Sequence, residues 1–250
     1  MGEGLVLETR GLSKQFGGVQ ALRQVDFRLR AGELRCLIGP NGAGKSTFFK
    51  LLSGQLRPSA GTILFEGTDI SRLPAYRIGR LGIGIKNQVP SVYEGLSVRE
   101  NVWLAARTRA GARAAAAAAD ALIEELALAE IAGRTVNVLA HGQRQWVEIA
   151  MIMARRPRLV LLDEPAAGMA AEETARTADL IRRINRSASV IVVEHDMQFI
   201  RQLDAVVTVF HQGAILAEDR MEVIQHDPRV RAVYLGSAAR QRSRPSEGPG

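Results

Sequence analysis

Cysteine is almost missing from this chain. Cys36 is the only one in 250 residues, so no intrachain disulfide can staple the fold. It stands in an apolar run and reads as a small core residue rather than a reactive thiol. Aromatic residues make up 5% of the chain, too few for the stacking platforms that hold single-stranded nucleic acid. Lysine stands only at positions 14, 45, 50 and 86. The basic excess, 33 Lys and Arg against 26 Asp and Glu for a formal +7, is therefore carried by arginines spread along the chain. With no basic motif interleaved with aromatics, it reads as solvated surface or as contact with anionic lipid headgroups, not as a nucleic-acid interface. No apolar run approaches the roughly 18–20 residues needed to cross a bilayer. The start, Met1-Gly2-Glu3-Gly4, lacks the basic and apolar regions of a secretory leader. Together these absences predict a cytoplasmic protein.

What remains is ordinary globular material: 46% hydrophobic and 24% charged residues, enough to bury one large core with or without an insert. Residues 5–10 and 25–30 alternate apolar and polar, as half-buried strands do. Pro58-Ser59-Ala60-Gly61 reads as a turn before a short strand at 62–65. An N-terminal antiparallel β layer is expected. From about Val89 the character changes. Ser97-Val98-Arg99-Glu100 is a capping-box pattern that opens a helix through about Arg109. Residues 113–128, rich in Ala, Leu and Glu, predict a second helix. From Leu159 strands and helices alternate: strands at 159–162, 190–193 and 205–209, with helices at 172–185 and from about Met197. That alternation implies a mainly parallel sheet. The tail 237–250 lacks apolar periodicity and is expected to be disordered.

The chemistry starts at Gly39-Pro40-Asn41-Gly42-Ala43-Gly44-Lys45-Ser46-Thr47, which fits G-x-x-x-x-G-K-[ST]. Small residues let the backbone wrap a polyphosphate with its N–H groups pointing inward. Lys45 adds positive charge for the β- and γ-phosphates. Ser46 offers a hydroxyl to Mg²⁺, and the following helix directs its positive end at the anion. The flanks, an apolar strand at 34–38 and a helix at 46–52, give the context the motif requires. Leu159-Val160-Leu161-Leu162-Asp163-Glu164-Pro165 is an apolar strand ending in two carboxylates. Asp163 is placed to hold Mg²⁺ through its water shell and Glu164 to polarise an attacking water; the plain alternative is two acids capping the next helix. Val190–Val193 leads through Glu194 to His195 at a strand's carboxyl end, a place suited to a γ-phosphate contact. Gln88, at the entry to the helical segment, is a candidate sensor of Mg²⁺ and water. Leu139-Ala140-His141-Gly142-Gln143 opens a helix on which Trp146, Ile149, Ala150 and Met153 recur at helical spacing; its first amides could bind phosphate.

In order and spacing these motifs resemble the ATP-binding-cassette (ABC) family over about residues 5–236. The resemblance implies an α/β P-loop NTPase core at about 5–88 and 158–236, with the N-terminal β layer and an inserted helical subdomain at about 89–157. It implies that Phe16 stacks on adenine, that Gly39–Thr47 binds ATP with Mg²⁺ at Ser46, Gln88 and Asp163, and that Glu164, His195 and Gln88 serve hydrolysis. It also implies a head-to-tail pair of nucleotide domains. Each ATP would lie between one chain's P-loop and the other's Ala140-His141-Gly142-Gln143. Two transmembrane permease subunits, a substrate-binding protein and a place on the cytoplasmic face of the inner membrane follow from the same resemblance. Within the family, His141–Ile149, Ala167-Gly168-Met169, Glu194-His195-Asp196-Met197 and Val233-Tyr234-Leu235-Gly236 resemble the ATPases of amino-acid and amide importers, particularly the urea type. A branched-chain amino-acid importer is the near alternative and a lipopolysaccharide-export ATPase a more distant one.

Three places depart from the family pattern. Ala140 stands where a serine usually donates to the partner's γ-phosphate, a bond to a charged group worth roughly 1.5–3 kcal/mol. Ala170-Ala171 occupies the stretch that usually carries the D-loop aspartate. Asn87 precedes Gln88 where an aromatic is common. Because this chain's own P-loop, Glu164 and His195 are intact, the losses fall on the opposite site. A heterodimer with a related ATPase is therefore expected over a homodimer. A non-hydrolysing regulatory subunit and a soluble ABC protein of translation or repair are the readings from other classes.

Overall fold

In the computed structural model, which describes residues 4–86 and 92–234, two sheets divide the apolar strands between them. β1 (Leu5–Phe16) and β2 (Val19–Arg30) pair antiparallel across Gly17-Gly18. Both outrun the alternating stretches 5–10 and 25–30. The pairing continues through register shifts between Thr9 and Leu12 and between Leu12 and Lys14, and such irregularities break a two-residue period without ending a strand. β3 (Leu34–Ile38) then leads through the glycine-rich loop into α1 (Lys45–Leu52). β4 (Ala60–Phe65) and β5 (Thr68–Asp69) complete an antiparallel sheet in the order β2-β1-β4-β5.

The second sheet is built around β3. α2 (Ala75–Leu81) precedes β6 (Ile83–Lys86). After the helical segment come β7 (Leu159–Asp163), β8 (Ser189–Val193), β9 (Val206–His211) and β10 (Ala214–Arg220). The order is β10-β9-β3-β8-β7-β6. β9, β3, β8, β7 and β6 run parallel, and β10 turns back antiparallel at the edge. The parallel strands are buried on both faces, as helix-covered strands are. Leu159, Leu161, Ile191 and Val193 face the antiparallel sheet and α1. Val160, Leu162, Val190 and Val192 face the helices on the other side. Phe48 of α1 sits between Phe27 and Phe210, with ring centroids 5.3 and 5.2 Å away; it joins the two sheets directly behind the loop.

Between β6 and β7 lie α3 (Val98–Arg107), α4 (Ala112–Glu125) and α5 (His141–Met153). Ser97 and Glu100 form the reciprocal cap of α3: Glu100 N–H donates to Ser97 Oγ at 3.2 Å and Ser97 N–H to Glu100 Oε2 at 2.7 Å. α4 stops short of the sequence expectation at Leu128. Ala127 adopts φ +56°, a left-handed conformation that ends a helix. Its thin inward face is Ala115, Ala119 and Ile123. α6 (Ala171–Asn185) and α7 (Met197–Leu203) connect the last parallel strands, and α8 (Met221–Ile224) follows β10. Residues 87–91, among them Gln88, and the tail 237–250 lie outside the described residues. Among the described residues no helix is long and apolar enough to cross a membrane.

Candidate functional site

The loop between β3 and α1 owes its shape to what surrounds it. Gly39 has φ +147°, and a Cβ there would stand 2.3 Å from the Phe210 carbonyl oxygen; only glycine lets β9 pass that close. Ala43 is held on both sides: its N–H donates to Pro40 O at 3.2 Å, and its carbonyl accepts from Gly213 N–H at 3.0 Å. The loop is thereby tied to the β9–β10 turn. Lys45 Nζ folds back over it, donating to the carbonyls of Gly39 at 2.6 Å and Pro40 at 3.1 Å. Partial burial lowers the Lys45 pKa, against the pull of Glu164 and Asp163. Ser46 lies exposed on the first turn of α1, and Thr47 is half-buried behind it. Phe16 is 45% exposed at the end of β1 with Lys14 Nζ 5.0 Å from its ring centroid. It is a surface aromatic, not the core residue its type alone suggests.

Asp163 and Glu164 sit where β7 leaves the sheet. Asp163 is pushed above the usual aspartate range by burial and by Glu164, with Lys86, Lys50 and Lys45 opposing. Glu164 takes φ +48°, a left-handed conformation that costs a non-glycine residue of order 1–3 kcal/mol and persists only where neighbours fix it. Here its N–H donates to Val193 O at 2.9 Å, and its carbonyl accepts from Ala167 N–H at 3.2 Å. The strained backbone directs the side chain toward β8: Glu164 Oε1 is 3.3 Å from His195 Nδ1. Lys45, Asp163, Glu164 and His195, read separately from sequence, thus meet at the carboxyl ends of β3, β7 and β8.

The helix start at Leu139–Gln143 faces elsewhere. Ala140 is the N-cap of α5 with extended φ −61°, ψ 159° and no side-chain acceptor. Only the reciprocal half of a capping box forms: Ala140 N–H donates to Gln143 Oε1 at 3.1 Å. Ala170 opens α6 in the same way, its N–H donating to Glu173 Oε2 at 3.2 Å. The two helix starts also touch. A Cβ on Gly142 would meet Glu173 Oε1 at 2.7 Å. Further along, Trp146 Nε1 donates to Thr177 Oγ1 at 2.8 Å, and the Arg176 guanidinium stacks 4.8 Å from the Trp146 ring centroid. His141 pairs with Gln145 at 2.8 Å. These contacts run to α6 and along α5 itself, not to the loop at Gly39–Thr47.

Three charged residues near the site escaped sequence reasoning. Lys86, 3% exposed, ends β6 and lies 3.9 Å from Glu148 on α5, itself 4% exposed. Burial lowers the Lys86 pKa while Glu148, Asp163 and Glu194 raise it. Glu194, 2% exposed, is raised chiefly by burial. Lys86 and Glu148 lie far apart in sequence and no motif pairs them; only the fold brings them together. A glutamate one residue before His195, at the end of an apolar strand, was the one available signal.

The raised Asp163 carboxyl makes a pH prediction. Between the unfolded and folded values the folded chain holds more protons than the unfolded one, so this residue's contribution to stability falls as pH rises through that window. Asp163→Asn removes the charge. In urea unfolding of the nucleotide-free chain it should raise the midpoint over wild type at pH 7, and the gain should vanish below about pH 4, where an ordinary aspartate is protonated.

The family model described as "ABC transporter" matches residues 22–167, and that described as "Branched-chain amino acid ATP-binding cassette transporter" matches residues 214–240. The chain is 34% identical over 251 residues to the high-affinity branched-chain amino acid transport ATP-binding protein BraF of Pseudomonas aeruginosa, covering 93% of this chain and 98% of that one. It is equally similar, at 34% over the same coverage, to the protein LivG of the same description from Escherichia coli K12. The lipopolysaccharide export system ATP-binding protein LptB of Acidithiobacillus ferridurans is 33% identical, over 92% of this chain and 97% of the relative. Among solved structures, an ATP-binding cassette of an ABC transporter in its ADP conformation superposes with a TM-score of 0.81 at 25% identity, covering 93% of this chain and 99% of the other. The chain is therefore a member of the ATP-binding proteins of ABC transporters, in the group that includes BraF and LivG, and is an ATPase coupled to transport.

Proposed function

We propose that this chain binds ATP with its adenine against Phe16 and its phosphates in the loop Gly39–Thr47, and that Glu164 takes the proton of the attacking water. The observation that carries the reading is the meeting of Lys45, Asp163, Glu164 and His195 at one edge, with Glu164 and His195 3.3 Å apart. Lys45, now spent on the loop's own carbonyls, is free to swing to the β- and γ-phosphates. His195, 68% exposed at its side chain, holds the Glu164 carboxylate on one side and reaches the γ-phosphate on the other. Ser46 and Asp163 would hold Mg²⁺, which supplies charge neutralisation at the phosphates. The donor set fits. One hydroxyl and one carboxylate suit a hard cation that keeps most of its ligands as water and substrate oxygens. Among the described residues no group of three or more His, Cys, Asp or Glu side chains could hold a metal alone, so the cation would arrive with the nucleotide. Gln88, outside the described residues, is assigned to the same Mg²⁺ and water.

The lid over each ATP is assigned to Ala140-His141-Gly142-Gln143 of a second ATPase. Two permease subunits would carry the cargo and a substrate-binding protein would deliver it, with this chain peripheral on the cytoplasmic face of the inner membrane. Ala140 supports a heterodimer, since its missing hydroxyl weakens only the partner's site. The cargo follows the descriptions of BraF and LivG, which favour import of branched-chain amino acids over the urea or short amides that local sequence marks suggest. Neither of those relatives is described by urea.

Three measurements test this. In the assembled complex, Glu164→Gln should lower ATP turnover at least ~100-fold, the scale of losing a general base, and leave ATP affinity intact. Ala140→Ser should raise turnover of the reconstituted pair; unchanged turnover, or assembly only as a homodimer, would refute the unequal-site reading. Deleting the gene should abolish uptake of labelled leucine and spare uptake of urea; the reverse pattern would return the cargo to the urea class.

A further inference from the structure

Glu194 is a carboxylate in an unusual place. It is 2% exposed at the end of β8, where burying a charge costs several kcal/mol unless hydrogen bonds answer it. The answer comes from backbone. Glu194 Oε2 accepts from His195 N–H at 3.0 Å and Oε1 from Ala166 N–H at 3.3 Å, with Asp196 N–H also donating. These donors belong to two separate turns. Ala166 lies two residues past Glu164 in the turn that leaves β7; His195 and Asp196 lie in the turn that leaves β8. One side chain thus bridges the two segments that carry the proposed base and its histidine.

We propose that Glu194 is a positioning residue for ATP hydrolysis: its buried carboxylate clamps the Glu164 turn to the His195 turn and sets the distance between those two side chains. The inference rests on the reading of Glu164 as the base. Glu164 is held at φ +48°, so its turn stores strain that a loosened anchor would release. Of its own backbone bonds, one closes the local turn with Ala167 N–H, and the other, from its N–H to Val193 O, also ends on β8, one residue before Glu194. If the Ala166 tether goes, the turn relaxes toward an ordinary conformation and the Glu164 carboxylate swings off His195. The nucleotide loop does not share this dependence. Lys45 is tied to Gly39 and Pro40, and Ala43 to Gly213. A loss at Glu194 should therefore appear in the chemical step and not in ATP binding.

Glu194→Gln is the probe. It keeps the size but turns an amide NH₂ toward one of the donor N–H groups, so one tether is lost. In the assembled transporter complex we expect kcat to fall about 10- to 100-fold, the scale of an ångström-level misplacement of a catalytic group. ATP affinity, read by fluorescent-nucleotide titration, should stay within about threefold; that split marks an interaction used only in the transition state. Glu194→Asp, which keeps both oxygens on a shorter arm, should recover part of the rate. In a Glu164→Gln background, adding Glu194→Gln should lower the rate no further, because both act through the same carboxylate. Unchanged kcat in Glu194→Gln, ATP affinity falling in step with kcat, or independent losses in the double variant would each overturn the proposal. If Glu164→Gln alone keeps wild-type turnover, the assignment of the base fails instead. If Glu194→Gln does not fold, the kcat and affinity of Glu194→Asp decide, by the same split.

Discussion

The constraint on which this molecule depends is the holding of several charges, half out of water, at the carboxyl ends of three adjacent parallel strands. Lys45, Asp163, Glu164 and His195 converge there, with Lys86, Glu148 and Glu194 buried just beneath. In such a place an unanswered charge costs several kcal/mol, so each is answered by a neighbour: Lys45 by loop carbonyls, Lys86 by Glu148, Glu194 by backbone amides. None of these pairings tolerates a change of register. Val160 and Leu162 face one core and Leu159 and Leu161 the other. A slip of one residue would exchange the faces and carry the two acids off the edge with them.

The rest of the architecture serves that edge. The six-stranded sheet is packed on both faces, and its apolar strands fix which side chains face each core. α1 and Phe48 lock the glycine-rich loop to both sheets, since the Phe48 ring meets Phe27 on one and Phe210 on the other. The helical segment is joined to the same edge from the side. The Lys86–Glu148 pair ties α5 to β6, and Trp146 with Thr177 ties α5 to α6. These contacts connect α5 to the strand next to Asp163 and to α6.

The fold class and the loop were legible in the sequence because short-range signals carry them. A G-x-x-x-x-G-K-[ST] run has a local meaning, and apolar strands ending in Asp163-Glu164 and in His195 announce their ends by composition alone. Less legible were elements whose identity comes from neighbours. β6 has four residues and one is Gly84, which no propensity marks as a strand; it exists because β7 offers it a parallel edge. β10 alternates weakly and is fixed by pairing with β9. No local signal pairs the buried Lys86 and Glu148; the fold places one against the other. Glu194 was visible as the residue before a histidine, but its three backbone partners were not, because they come from two turns separated by α6. Similarity to BraF and LivG also moved the cargo away from the urea class, a matter on which no residue in the ATPase site bears.

The two helix starts outside the core show the same economy with a different consequence. α5 and α6 both open on alanine, and alanine at an N-cap is about 1 kcal/mol worse than a side-chain acceptor. In each case the third helical residue supplies the reciprocal bond, from Gln143 and from Glu173. Glu173 does more, since its carboxylate packs against Gly142 at the mouth of α5 and so couples the two starts. Ala140 itself offers nothing to the first-turn amides of α5, whose partners must then come from beyond the cap. In the dimer proposed above their partner would be the anion bound to the other subunit's loop, which such a helix end attracts through its amides and dipole alone. A lid of that kind would still recognise a phosphate, with less directional hold than a serine adds. On that reading the chain would supply the catalytic side chains for its own nucleotide and a weaker grip on its neighbour's, which is why a different protein is proposed as the neighbour.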